Sequence, residues 1–240
     1  MQRSFIFMMF MIFCIPAKSQ SQDTIFYNKK WEPVQSKKKM KFYRLFSVKD
    51  SVVKVTDYYE NGSTQMTGQY KLPENSQSIL DFFNSNSDTG METGEFTWYD
   101  KNGIRTSMTC YNPQYYLTKD FFSKYKVDNL PDSLFAKLTF EKIYYKDGSK
   151  EFDGFYIDES LKHGIWFEYY ANGKYYAINK YKNGLLDGKQ KYFYINGIIE
   201  ETCIYINGKR TGENNQYSNY GKLKKKKIYK NDKVISTEKY

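Results

Sequence analysis

One histidine, His163, and three cysteines serve a chain of 240 residues. Structural zinc needs several Cys or His ligands at close spacing, and this sequence holds no such cluster. His163 precedes Gly164 in the place that Asp187 and Thr211 take in later units, so it reads as a turn residue rather than a catalytic base. No glycine–lysine–Ser/Thr series stands where a phosphate-binding loop would need it. Asp153, Asp158 and Glu159 lack the spacing of a calcium loop, and Glu200-Glu201 reads as surface charge. A glycosidase would need two carboxylates held across a cleft. These absences predict no catalytic residue, no metal and no cofactor, and they leave a hydrolase third behind two binding roles.

Long apolar runs are also missing after the first segment. Arg3, the stretch Phe5–Ile15, Pro16 and the triplet Ala17-Lys18-Ser19 have the order of a secretory signal peptide over residues 1–19. The stretch is short for a membrane span. It predicts a periplasmic or secreted protein of a Gram-negative cell. Lipoprotein attachment through Cys14 is disfavoured by bulky Phe13 before it. Removing the segment leaves Cys110 and Cys203, which occupy non-equivalent places relative to their nearest turns and are expected to be unpaired and partly buried.

What the chain does have is aromatic side chains, 19% of all residues with 25 tyrosines, and a beat that organises them. Six glycines, Gly62, Gly103, Gly148, Gly173, Gly197 and Gly221, each follow an aromatic by four residues: Tyr58, Tyr99, Tyr144, Tyr169, Phe193 and Tyr217. Eight residues after each stands a tyrosine: Tyr70, Tyr111, Tyr156, Tyr181, Tyr205 and Tyr229. Self-similarity at a fixed period marks a repeat array whose units bury their faces only by stacking.

Five of the six glycines follow Asn or Asp in a strand–turn–strand pattern, for which the type I′ hairpin turn is the first expectation, and Gly221 follows Tyr220. A second set marks the return connections: Asn183-Gly184 and Asn207-Gly208, with Gly164, Gly188 and Gly212 nine residues before the next anchor. The expected fold is all-β, an elongated antiparallel meander of repeated hairpins in a single layer. Residues 20–56 read as an N-terminal β cap and 57–112 as two hairpins with an insert at 72–93. Residues 113–135 read as a second insert or short helical connector, with Leu117–Tyr125 as its helix and Pro131 limiting it. Residues 136–240 read as four consecutive repeats.

The array resembles the MORN-type repeat family, most closely at Gly164-Ile165-Trp166-Phe167-Glu168-Tyr169-Tyr170 and at the turns His163-Gly164 and Asp187-Gly188. Bacterial relatives often carry a label as antitoxin components. That activity is not carried over, since a signal segment fits poorly with a cytoplasmic toxin partner. Residues 23–112, with Asp23–Tyr27, Trp31, Phe42-Tyr43-Arg44 and Val55–Gly62, resemble an exported region of Bacteroidota TonB-like proteins. Energy transduction is not implied, because the chain continues into more repeats.

Tyr144, Tyr169, Phe193 and Tyr217 are expected to form one rib of touching rings, and Tyr156, Tyr181, Tyr205 and Tyr229 another. An exposed ring platform for glycan, peptide or bases is the functional alternative. The formal charge of +10, or +8 without Arg3 and Lys18, is read first as solubilising. Lys224, Lys225, Lys226 and Lys227 are read as a charged end strand or as a patch for an anionic ligand. The expected role is a non-enzymatic exported scaffold that binds a protein or cell-envelope polymer. The alternative is direct binding of carbohydrate, lipopolysaccharide or anionic lipid, with no specific nucleic-acid partner.

Overall fold

A computed structural model describes residues 23–73, 82–83, 91–158 and 160–240; the signal segment, Ile79-Leu80 of the first insert and Glu159 lie outside these. Among the described residues seventeen strands form one antiparallel sheet. They are β1 (Asp23–Tyr27), β2 (Phe42–Lys49), β3 (Val52–Tyr59), β4 (Thr64–Lys71), β5 (Gly94–Tyr99), β6 (Arg105–Tyr111), β7 (Leu138–Tyr144), β8 (Lys150–Ile157) and β9 (Leu161–Tyr169). There follow β10 (Tyr175–Lys182), β11 (Leu185–Leu186), β12 (Gly188–Phe193), β13 (Ile199–Ile206), β14 (Lys209–Arg210), β15 (Gly212–Tyr217), β16 (Leu223–Lys230) and β17 (Lys233–Lys239). Neighbours in sequence are neighbours in the sheet, with β11 and β12 sharing β10, and β14 and β15 sharing β13. The boundary expected at residue 56 falls inside β3, so the cap and the first hairpin share a strand.

The two sets of turns differ, and the anchors are not type I′. Among the two residues of each Asn-Gly or Asp-Gly anchor, only the glycine has positive φ, as at Gly173 with 80°. Gly173 N–H bonds the Tyr170 carbonyl at 2.8 Å, Tyr170 N–H bonds the Lys174 carbonyl at 2.8 Å, and the register slips between Tyr175 and Ala177. This is a type I turn closed by a left-handed glycine and a bulge. Asn and Asp precede the glycine for a separate reason. At four of the five the Oδ1 accepts the N–H of the residue after the glycine: Asn61 from Ser63, Asp147 from Ser149, Asn172 from Lys174 and Asn196 from Ile198; at Gly103 the Asp100 Oδ1 takes the Ile104 N–H instead. Type I′ turns sit in the return connections instead, where Asn183 (49°) and Gly184 (81°) both have positive φ. Asn231-Asp232 does the same without glycine.

Cross-strand partners share a face of a sheet, and on that rule the protein has two cores on opposite faces. On what we call the front face, Phe46, Val53, Val55, Met66, Tyr70 and Phe96 pack with Phe82 and Phe83 of the first insert. Phe96 pairs with Thr109 while the adjacent Met108 pairs with Thr97, which puts Met108 on the back face. There Met108, Cys110, Phe140, Phe155 and Phe167 pack with Phe122, Tyr125 and Val127 of the second insert. Its helix α1 (Lys119–Tyr125) starts where the Thr118 hydroxyl accepts the Phe121 N–H and stops at Lys126, whose φ is 58°. Pro131 does not end that helix. It stands before α2 (Asp132–Phe135) and fixes its start.

Each core holds a buried charge. Arg44 makes a two-pronged bond to Asp57 at 2.7 and 2.9 Å, with its guanidinium 4.7 Å from the Phe83 ring. Asp153, fully buried, takes Lys150 and the hydroxyl of Tyr125 at 3.0 Å. No comparable cluster covers β10–β17 among the described residues.

Candidate functional site

The repeats from β8 onward are tied along both rims. Three residues before the anchor glycine, a tyrosine hydroxyl donates to the carbonyl of the aromatic in the next hairpin. Tyr145 reaches Tyr169 at 2.7 Å, Tyr170 reaches Phe193 at 2.7 Å, and Tyr194 reaches Tyr217 at 2.8 Å. Tyr59 does the same to Tyr99 at 2.8 Å. Asp100 breaks the series, and Arg105 bridges there to the Tyr144 hydroxyl at 3.3 Å. At the tips, Asn196 Nδ2 donates to the Asn219 carbonyl at 2.9 Å.

On the return rim, Gly184 N–H bonds the Lys162 carbonyl and Gly208 N–H bonds the Leu186 carbonyl, at 2.9 and 2.8 Å. Beside them Asn183 N–H donates to His163 Nδ1 at 3.3 Å, and Asn207 N–H donates to Asp187 Oδ2 at 3.1 Å. His163 is a turn acceptor standing in for Asp187. Burial, followed by the charges of Lys182 and Lys180, holds its pKa below the usual histidine value.

A buried column runs down the front face, two residues after each return glycine: Phe96, Trp166, Gln190 and Asn214. The Trp166 ring lies on Gly154, where an added Cβ would stand 2.3 Å from it, and its Nε1 donates to the Phe155 carbonyl at 3.1 Å. Gln190 occupies the equivalent place. Its amide accepts from Lys180 N–H at 2.7 Å and donates to the Lys180 carbonyl at 3.3 Å, filling the gap where the β10–β12 ladder is interrupted. Asn214 and Gln216 instead hold the two oxygens of Glu201 at 2.6 and 3.2 Å.

The expected ribs of like rings do not form. One repeat is two strands, so equivalent residues stand about 10 Å apart, beyond ring contact. Something from the intervening strand sits between them. Tyr175 lies 5.2 Å from Tyr169 and 6.1 Å from Phe193. Trp166 lies 4.8 Å from Tyr156 and 6.3 Å from Tyr181, and the Arg210 guanidinium lies 5.5 Å from Tyr205 and 5.2 Å from Tyr229. Tyr144 is held by Arg105, and Tyr217 serves through its carbonyl.

The lysine run is neither an end strand nor one surface. β17 lies outside β16 and is the edge. Register puts Lys225 and Lys227 on the front face and Lys226 on the back, where its ammonium meets Glu213 at 2.7 Å. Lys224 and Lys225 line a hollow shared with Glu200 and Glu201. Cys110 and Cys203 are both free and buried, on the back and front faces respectively, and burial pushes each thiol up to about 11. Asp158 is paired with Lys137 at 2.8 Å.

Uncovered surface concentrates at the C-terminal end. Leu161, Leu185, Ile204 and Ile206, between 37% and 54% exposed, follow one another along the return rim of the back face. No insert reaches them among the described residues.

Two recurring features were not anticipated from the sequence: the tyrosine three residues before four of the six anchors and the column two residues after each return glycine. Both recur at fixed offsets in Tyr145, Tyr170 and Tyr194 and in Trp166, Gln190 and Asn214. Gly94, nine residues before Gly103, is a return glycine that the inserts concealed.

No curated protein matches the chain. The MORN repeat variant family matches residues 162–183 and 186–207, which correspond to the hairpins β9–β10 and β11–β13. With its hairpins tied by the same bonds at the same offsets, this stretch of the chain is a pair of MORN-type repeats set in a longer array of like hairpins.

Proposed function

We propose that the protein is a non-enzymatic, exported repeat scaffold that binds a protein or a cell-envelope polymer along the uncovered sheet of β10–β17. The observation that carries this reading is the exposed aliphatic strip Leu185, Ile204 and Ile206, continued onto the start of β9 by Leu161. A soluble chain gains nothing by exposing adjacent aliphatics on a rigid surface unless something covers them. Export rests on residues 1–19, and the likeness of residues 23–112 to an exported region of TonB-like proteins agrees with it. No described helix is long and apolar enough to cross a membrane.

Direct anionic recognition by Lys224–Lys227 is the alternative, and the division of these lysines between faces and their nearby carboxylates weigh against it. Crosslinked recovery from the native envelope separates the two. Capture should be lost in a Leu185→Ser/Ile204→Ser/Ile206→Ser variant and retained when Lys224–Lys227 are all changed to Gln. Capture unchanged by the first variant, or abolished by the second, refutes the scaffold reading.

A further inference from the structure

Three lysines from separate turns meet toward the other end of the molecule. Lys29, Lys41 and Lys101 line a cleft of about 610 Å³ together with Phe42, Tyr59, Glu60 and Asn61. Lys41 is paired with Glu60 at 2.7 Å. Lys29 and Lys101 have no ion pair among the described residues, so the cleft keeps a positive excess. Lys30 and the short turn Lys37–Lys39 lie in the same N-terminal loop.

The two rings are fixed in place rather than incidental. The Tyr59 hydroxyl is committed to the Tyr99 carbonyl at 2.8 Å, which fixes its ring, and Lys101 lies 6.0 Å from that ring. Phe42 is braced from its other side by Trp31, whose ring is 4.5 Å away and nearly parallel at 9°. Trp31 holds φ of 62°, a left-handed conformation that is costly for a bulky residue.

From this we infer a binding site for an acidic saccharide, a sugar ring whose carboxylate, phosphate or sulfate meets Lys29 and Lys101 while its C–H face rests on Phe42 and Tyr59. Three features select that ligand. The cleft has the size of a small-ligand site, lined by aromatic rings and a few polar groups. Phe42 and Tyr59 are tilted by 52° and offer no parallel slot for a flat base. Trp31, at 37%, is the one large apolar side chain exposed in this loop, too little to insert among acyl chains. The site is separate from the strip on β10–β17, so either can fail without the other.

The test uses the whole mature chain with an oligogalacturonate and a heparin-derived tetrasaccharide as acidic probes and a maltooligosaccharide as the neutral control. Phosphatidylglycerol vesicles and oligo-dT stand for the other anions. Titration calorimetry should show binding of at least one acidic probe, weakening with salt, and none of the neutral sugar. The Lys29→Gln/Lys101→Gln variant, changed only at exposed positions, should bind about tenfold more weakly. Lys224→Gln/Lys225→Gln should bind as the parent does. Carboxylate and sulfate are distinguished by which acidic probe binds. Equal binding of the neutral sugar, tighter binding of vesicles or oligo-dT, no binding of either acidic probe, or an unaltered Lys29/Lys101 variant would each overturn the proposal.

Discussion

From β1 to β9 the sheet is covered on one face or the other by an insert, whereas among the described residues no insert covers β10–β17 beyond Ile178 of β10, which packs against the second core. The first half is held as most domains are, by apolar side chains closed against a second layer. The second half replaces that layer with bonds from side chains to the backbone of an adjacent hairpin: the next one for Tyr170, Tyr194 and Asn196, the preceding one for Gln190. A one-layer sheet thus survives by two routes, and only the second leaves both faces free for another molecule. Alternation of the covered face has its own consequence. An insert on the front at β1–β5 and another on the back at β6–β9 means that no single partner could lie along one face of the whole array.

The most damaging way to probe the contrast is inside the second core. Phe155 is fully buried and touches Phe121, Phe122, Tyr125 and Phe140. Phe155→Ala should cost about 3–5 kcal/mol in chemical denaturation, as large-to-small changes in cores do. Ile204→Ala on the bare half should stay within roughly 0.5 kcal/mol. Similar losses at the two positions would mean that β10–β17 has a covering layer after all.

Next in size is the ion pair in the first core. Arg44→Met would take the guanidinium away from Asp57, 1% exposed, and should cost about 3–5 kcal/mol. Arg44→Met combined with Asp57→Leu should recover most of that loss, because both charges then leave together. A double variant as unstable as the single one would show that the pair is needed for more than mutual neutralisation.

Smaller, and specific to the bare half, is removal of one tie. Tyr170→Phe or Tyr194→Phe deletes only a hydroxyl and should cost about 1 kcal/mol. Hydrogen exchange should quicken locally, at the amides of the two hairpins that the bond joins, and leave the cores of β1–β9 protected. Uniform quickening across the chain would argue that the array unfolds as one cooperative unit.

Strand identity, the meander and the position of every anchor turn were legible because Asn-Gly and Asp-Gly interrupt aromatic runs at a constant offset. The turn type was not, since the same dipeptide serves in two geometries, one with only the glycine at positive φ and one with both residues there. The ribs were misread for a geometric reason: equal spacing in sequence says that Tyr181 and Tyr205 are equivalent, but not that a strand carrying Leu186 lies between them. The cleft at Lys29, Lys41 and Lys101 was out of reach of any local pattern, because three turns distant in sequence build it. The Lys224–Lys227 run drew attention by density alone, and alternation along a strand divides it.

His163 offers the finest test of the return rim. It accepts the Asn183 N–H through an unprotonated Nδ1, the bond that Asp187 makes to Asn207 one repeat later. Its folded pKa lies below the ordinary value of 6.5, chiefly through burial. The unfolded chain therefore binds a proton at higher pH than the folded one. Stability from this group is complete above about pH 6.5 and is lost as pH falls through the lower folded value. Melting temperatures taken from pH 7 to pH 5 should fall more steeply for the parent than for His163→Asn, which keeps an acceptor but cannot be protonated there. The difference should be small, since one rim contact is involved, and it should vanish above pH 7. Superimposable curves would mean that the imidazole is not the acceptor, and that the return rim is held at this turn by the Gly184–Lys162 backbone bond alone.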